Sequence, residues 1–206
     1  TASRYIRIEG LQISQDNVST QYAGIYAGGG AVSEVYISHN IVRATGLGRI
    51  GIDGPGGGDG GIYYIYNNIV YDFLGISGIY IYETIGNAVG YVYNNTVSGC
   101  YRGLYTNSAE MHIKNNIVVG SGDTLAYVGT FAADSDYNAT DGTDTVDGGG
   151  SHNENGQTFS FVNSTGKDFH LLPTDAGARN FGTNLSADAG FAFNTDIDGT
   201  VRGGTW

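Results

Sequence analysis

The chain has 206 residues, one ordinary domain in length, and 35 of them are glycine and 16 tyrosine against only 2 prolines. That mixture excludes collagen, which needs glycine at every third position together with abundant proline. With 40% hydrophobic and 12% aromatic residues there is apolar surface to bury, so plain disorder is excluded as well. No run of about 18 apolar residues occurs, so no segment reads as a membrane-spanning helix. The net charge of −11 argues against a sequence-independent grip on nucleic acid or on an anionic membrane. Residues 1–120 carry six basic and eight acidic side chains, whereas residues 121–206 carry three and twelve. Fourteen of the 16 tyrosines fall in the first part. Two regions with different tasks are expected.

Four segments repeat in chain order: Val35-Tyr-Ile-Ser-His-Asn-Ile-Val42, Tyr63-Tyr-Ile-Tyr-Asn-Asn-Ile-Val70, Gly90-Tyr-Val-Tyr-Asn-Asn-Thr-Val97 and Met111-His-Ile-Lys-Asn-Asn-Ile-Val118. A degenerate copy, Ile6-Arg-Ile-Glu-Gly-Leu-Gln-Ile13, precedes them by about one step. Their second asparagines, Asn40, Asn68, Asn95 and Asn116, are separated by 28, 27 and 21 residues. A second series runs out of phase: Gly24-Ile25-Tyr26, Gly51-Ile52-Asp53, Gly78-Ile79-Tyr80 and Gly103-Leu104-Tyr105. Each period holds at least two short alternating strands bounded by glycine, asparagine and small polar residues. Such strands are too short for helices and the period is too short for a propeller blade. The pattern predicts an all-β chain whose residues 1–130 form about five coils of a right-handed parallel β-helix, stacked about 4.8 Å apart. Residues 131–206 then form an acidic, non-repeating segment rich in Gly, Asp and Asn, which caps the solenoid or packs along it. Stacking puts like on like: the four asparagines form an amide ladder, and Ile37, Ile65, Val92 and Ile113 fill the core.

The strand-then-Asn-Asn-[Ile/Thr]-Val phrase resembles the repeat of the secreted right-handed β-helix proteins of the pectin-lyase-like superfamily. The closing Asp168-Phe-His-Leu-Leu-Pro173, Asp196-Ile-Asp-Gly-Thr-Val-Arg202 and Trp206 resemble the carboxy-terminal phrase of many bacterial members. The resemblance implies a fold and a lineage. It does not choose an activity, since the group holds polysaccharide lyases, hydrolases, phage tailspikes and adhesins. The chain opens at Thr1 without a methionine and shows no polar amino-terminal cap, so it reads as a processed or excised piece.

Residues flanking the inward Ile and Val are expected to face solvent. They form a column of Tyr36, Tyr64, Tyr91 and His112 and a second of Ser38, Tyr66, Tyr93 and Lys114. The other strand series adds Tyr26, Asp53, Tyr80 and Tyr105. Stacked aromatics stabilise a pleated face, and the same rings offer a surface for glycan or for a neighbouring subunit. For catalysis the weak candidates are Lys114, His112, Arg43 and Arg102, which the resemblance would assign to proton abstraction from a uronate chain. Solvated surface cations are the plainer reading of the same residues. No convincing pair of hydrolytic aspartates is present. Cys100, alone in the chain, reads as a small buried residue at a turn.

Asp134-Ser-Asp136-Tyr-Asn138 copies the first three ligand positions of a calcium loop, but Ala139 replaces the required glycine and Thr145 stands where a glutamate is needed. An EF-hand is therefore excluded. Ca²⁺ remains a candidate cofactor for these residues or for Asp196 and Asp198, against a solvated acidic loop. Sequons at Asn17, Asn94, Asn138, Asn163 and Asn184 arise readily by chance in so Asn-, Ser- and Thr-rich a chain, and glycosylation is not expected of them. The expected function is that of an extracellular structural and binding protein, a subunit of a cell surface or of a fibre (filament). It would associate with itself, by stacking head-to-tail or laterally, and meet polysaccharide through its tyrosine faces. A lyase of acidic polysaccharides and a phage tailspike or adhesin module are the alternatives.

Overall fold

The computed structural model describes residues 5–16, 23–28, 34–56, 61–83, 88–107, 110–121 and 125–204. Three parallel sheets form the sides of a solenoid, with strands numbered in chain order. Sheet A stacks β1 (Tyr5–Glu9), β4 (Glu34–Ser38), β7 (Ile62–Tyr66), β10 (Val89–Tyr93) and β13 (Glu110–Lys114). Sheet B stacks β2 (Gln12–Gln15), β5 (Ile41–Ala44), β8 (Ile69–Tyr71), β11 (Thr96–Ser98), β14 (Ile117–Val119) and β16 (Ala139–Thr140). Sheet C stacks β3 (Ala23–Tyr26), β6 (Ile50–Gly56), β9 (Ser77–Glu83), β12 (Leu104–Thr106) and β15 (Tyr127–Val128). A parallel β-solenoid is thus the fold. It makes about four turns rather than the expected five, because five stacked strands enclose only four rises.

Register follows the repeat. Ile8, Ile37, Ile65, Val92 and Ile113 lie one above another in sheet A, and the last four are fully buried. Val42, Val70, Val97 and Val118 do the same in sheet B, and Ile52, Ile79 and Leu104 in sheet C, all with no exposed surface. The glycine that opens each sheet C phrase has a packing reason. A Cβ on Gly24, Gly51, Gly78 or Gly103 would run into the Cγ1 of Val42, Val70, Val97 or Val118, closer than carbon atoms can approach. Sheets B and C meet there without room for a side chain.

Between sheets A and B the chain turns a corner at a residue of left-handed conformation: Gly10, His39, Asn67, Asn94, Asn115 and Tyr137, with φ between 53° and 71°. Asparagine tolerates that region better than most side chains, which explains the first Asn of each pair. The second Asn points inward and builds the ladder. Asn40, Asn68, Asn95 and Asn116 each donate from the backbone N–H and from Nδ2 to the Oδ1 of the next rung, over 2.8–3.1 Å. Each Nδ2 also donates to a strand carbonyl of the preceding coil, as Asn95 does to Ile65. One amide therefore ties three coils together. The ladder runs further than the repeat shows, since Asn138 receives Asn116 and donates in turn to Asn153. At the other end it stops at Leu11, which contributes only its N–H.

Residues 131–157 carry the stacking beyond β13, through hydrogen bonds from Ala132 to Met111, Asp136 to Ile113 and Thr140 to Glu154. That last layer is polar, Asp147-Gly-Gly-Gly-Ser-His-Asn-Glu-Asn155, with Val146 as its buried apolar residue. An antiparallel hairpin of β17 (Phe161–Asn163) and β18 (Asp168–Leu171) then lies on sheet B, placing Phe169 against Ile69 and Tyr71. From there the chain crosses the asparagine corner, covers sheet A with Leu185, Phe191 and Phe193, and returns past Asn67. It acts as a strap over two faces.

Buried rungs and corner residues should differ sharply in cost. Asn95→Ala leaves several buried polar groups unsatisfied and is expected to lose about 3 kcal/mol or more in chemical denaturation. Asn94→Ala, at the half-buried corner, is expected to lose about 1 kcal/mol, mostly from the left-handed backbone. Equal losses would contradict the ladder as the fold's main polar bond.

Candidate functional site

The outward columns of sheet A form as expected, but most of their surface is not open to solvent. Tyr36, Tyr64, Tyr91 and His112 stack with ring centres 4.5, 5.4 and 4.7 Å apart. Tyr66 and Tyr93 are 7% and 0% exposed. The expectation that these side chains face solvent is corrected by the strap: Phe191 sits 4.6 Å from Tyr64 and 4.8 Å from Tyr66, and Leu185 is fully buried beside them. So apolar a stripe is covered by the protein's own chain.

The strap is tied down at Lys114. Its Nζ lies 2.7 Å from Asp188 of the strap and 2.9 Å from Asp134, and 5.4 Å from the centre of the Tyr93 ring. The same Asp134 carboxylate lies 2.5 Å from His112 Nδ1. Burial works to lower the Lys114 pKa, but the two carboxylates outweigh it and hold the ammonium above its usual range. Burial likewise works to raise Asp134 and Asp188, yet their cationic partner keeps both below the usual carboxylate range. A lysine so held cannot take a proton near neutral pH. Lys114, Tyr93 and His112 do come together on one face: Lys114 and Tyr93 bind Asp188 of the strap, and His112 joins them through Asp134.

The remaining cations are dispersed. Arg43 is on sheet B, where its Nε donates to Ser14 over 3.2 Å, and Arg102 lies over the rings of Tyr101 and Tyr105 at 4.7 and 4.9 Å beside sheet C. Neither reaches Lys114, so the four catalytic candidates stand on three faces of the solenoid. Cys100 is buried, and burial pushes its thiol up to about 12.

Sheet C carries the tyrosine strip that stays open. Tyr26 is 59% exposed, and Tyr80 stacks on Tyr105 at 4.5 Å and on Tyr82 at 4.8 Å. Rings stacked along the solenoid axis spend their faces on one another, so they show solvent their edges and hydroxyls. In the same column Asp53 is 8% exposed, and no hydrogen bond reaches its Oδ1 among the described residues. Burial raises its pKa to about 6, opposed by the charge of Arg49.

The acidic candidates for metal are already engaged. Asp136 holds His152 at 2.7 Å, Asp196 accepts the N–H groups of Asp198 and Thr200, and Asp198 lies 3.0 Å from His170. Asn138 is a ladder rung with no exposed surface, not the third oxygen of an open loop. Among the described residues no group of three or more His, Cys, Asp or Glu side chains is placed to hold a metal ion. Of the sequons, Asn163 and Asn184 are exposed, Asn94 donates from its Nδ2 to Asn67, Asn138 is buried, and Asn17 lies outside the described residues.

A cavity of about 370 Å³ lies between the asparagine corner, sheet B and the strap, with Asn94, His170, Arg179 and Arg202 on its walls. Its floor is formed by residues of the repeat phrase, Asn95 and Thr96 among them. Its walls come from residues with no repeat to mark them.

Compared with known protein families, with curated proteins and with solved structures, the chain finds no match. The class that the fold defines is the all-β parallel solenoid. The resemblance of the repeat phrase to the pectin-lyase-like group gains no family membership from these comparisons.

Two pH-dependent outcomes follow. Asp53 binds its proton more tightly folded than unfolded, so stability is expected to fall as pH rises from about 4 to about 6. Asp53→Asn should remove that slope and gain about 2 kcal/mol at pH 7 in denaturant midpoints. Asp134 and Asp188 have the opposite sign: their contribution is full above about pH 4 and lost as the solution becomes more acid. Lys114→Met is expected to cost about 2–3 kcal/mol at pH 7 and to open the strap to limited proteolysis. An unchanged cleavage pattern would remove Lys114 from that role.

Proposed function

We propose that this protein is a non-catalytic extracellular building block that joins a second copy of itself through the end formed by its first coil. The observation that carries this reading is the difference between the two ends of the solenoid. Among the described residues, β1, β2 and β3 of the first coil each pair on one side only, with β4, β5 and β6. Tyr5, Ile6 and Leu11 are 57%, 37% and 47% exposed there, and Ile8 and Ile13 are only partly buried. Open edges and bare apolar side chains are what another strand would cover. The opposite end is closed by the polar layer around Asp147–Asn155. Head-to-tail stacking would set an apolar face on a polar one, so first coil against first coil is the better match.

The charges agree with that pairing. Arg7 and Glu9 form an exposed ion pair on β1, at 2.7 Å. Two β1 strands running antiparallel about Ile8 would bring Arg7 of each copy beside Glu9 of the other. A contact of this kind uses the same patch twice and closes at a pair. Glycan contact, in this reading, belongs to the open strip of Tyr26, Tyr80, Tyr82 and Tyr105, because the sheet A tyrosines are already covered.

Sedimentation velocity over a dilution series tests the proposal, with electron microscopy of the same samples. A dimer that dissociates on dilution is expected, and Ile6→Lys with Leu11→Lys should leave a monomer of unchanged melting temperature. Arg7→Glu should weaken the dimer, and adding Glu9→Arg should restore it. A monomer at every concentration would overturn self-association; filaments would overturn the closed pair in favour of head-to-tail stacking.

A further inference from the structure

The cavity at the asparagine corner is built by the way the strap crosses. It touches the corner at two rungs and leaves the rung between them uncovered. On one side Asn115 donates from Nδ2 to the Thr183 carbonyl over 2.8 Å and accepts the Thr183 N–H over 2.9 Å. On the other, Asn67 donates to the carbonyls of Thr195 and Asp196 over 2.9 and 3.2 Å. Asn94 lies between them in the stack and lines the cavity. Its Nδ2 is given to Asn67, while no hydrogen bond reaches its Oδ1 among the described residues.

The charge of the cavity sets it apart from its surroundings. Residues 121–206 hold only three basic side chains, Lys167, Arg179 and Arg202, and two of them line this one space. The third, Lys167, is 2.8 Å from Asp72, just past β8, and does not line the cavity. Arg179 is exposed, and its guanidinium makes no ion pair or hydrogen bond among the described residues. Arg202 is half-buried, and burial lowers its pKa, partly offset by Asp196. Two carboxylates share these walls and are engaged, Asp198 with His170 and Asp196 with backbone N–H groups of its own turn. The floor is apolar, supplied by Ile69 and Ile117 on either side of Thr96 in sheet B.

Two guanidiniums fit a carboxylate, the free amide oxygen of Asn94 fits a hydroxyl, and the apolar floor fits a carbon backbone. The volume, about 370 Å³, is at the small end of the range for small-molecule sites, about 300–1,000 Å³. We propose that this corner pocket binds a small hydroxylated carboxylate, a sugar acid or an open-chain hydroxy acid, with Arg179 and Arg202 on the carboxylate and Asn94 on a hydroxyl.

Titration calorimetry of the full chain with gluconate, glucuronate, glucose and sulfate tests this. Gluconate or glucuronate is expected to bind at least about tenfold more tightly than glucose or sulfate, since each lacks half of the recognised chemistry. Whichever of the two acids binds better distinguishes the open-chain from the ring form. Arg179→Gln should weaken binding about tenfold without moving the melting temperature, whereas Arg43→Gln on sheet B should leave it unchanged. No heat from either acid at millimolar concentration would overturn the proposal. So would equal binding of glucose, or indifference to Arg179→Gln. None of the residues substituted to test the β1 contact lines this cavity, so either proposal can fail without the other.

Discussion

A buried amide must find partners for both its oxygen and its nitrogen, and here that requirement sets the spacing of the whole chain. Asn40, Asn68, Asn95, Asn116, Asn138 and Asn153 satisfy it by bonding to one another, coil after coil. A slip of one residue in any coil would leave two such groups buried without partners and turn the Ile and Val column outward. Coil lengths vary from one rung to the next without disturbing the stack. Insertions are taken up in the loops, while the corner stays in line.

The ladder also gives the solenoid its two unlike ends. It begins at Leu11, a side chain that cannot continue it, and ends among Gly, Asp and Asn residues that need no further coil. Tyr5, Ile6 and Leu11 are exposed on the first described coil. At the far end the backbone is closed over by a layer that water can solvate. That asymmetry is the ground on which a closed pair, rather than a fibre, is proposed.

Aromatic and charged groups follow the same geometry. Parallel stacking at a single strand spacing brings tyrosine over tyrosine whether or not a ligand needs it. On sheet A the strap takes the column as its own binding surface, with Lys114 as the fastening. On sheet C the rings stack on each other and leave Asp53 beneath them, poorly solvated. The strap thus converts one exposed aromatic face into core and, by hydrogen-bonding the corner at Asn67 and Asn115 on either side of Asn94, leaves a cavity over Asn94.

Much of this was legible in the repeat alone. Residues spaced by one coil must stack, so the Asn ladder, the Ile and Val columns and the three outward columns could be written down from positions 35–118. The parallel solenoid followed from them. Asn138 and Asn153 were not legible as rungs, because Ala139-Thr140 and Glu154-Asn155 replace the [Ile/Thr]-Val that follows each repeated asparagine. Nor was the path of residues 158–204, whose contacts join Phe191 to Tyr66 and Thr183 to Asn115 across long stretches of chain. Periodicity is local information and fixes what lies above what. Which face the strap covers, and which cations meet there or stay apart, depends on non-periodic packing that only the folded chain decides.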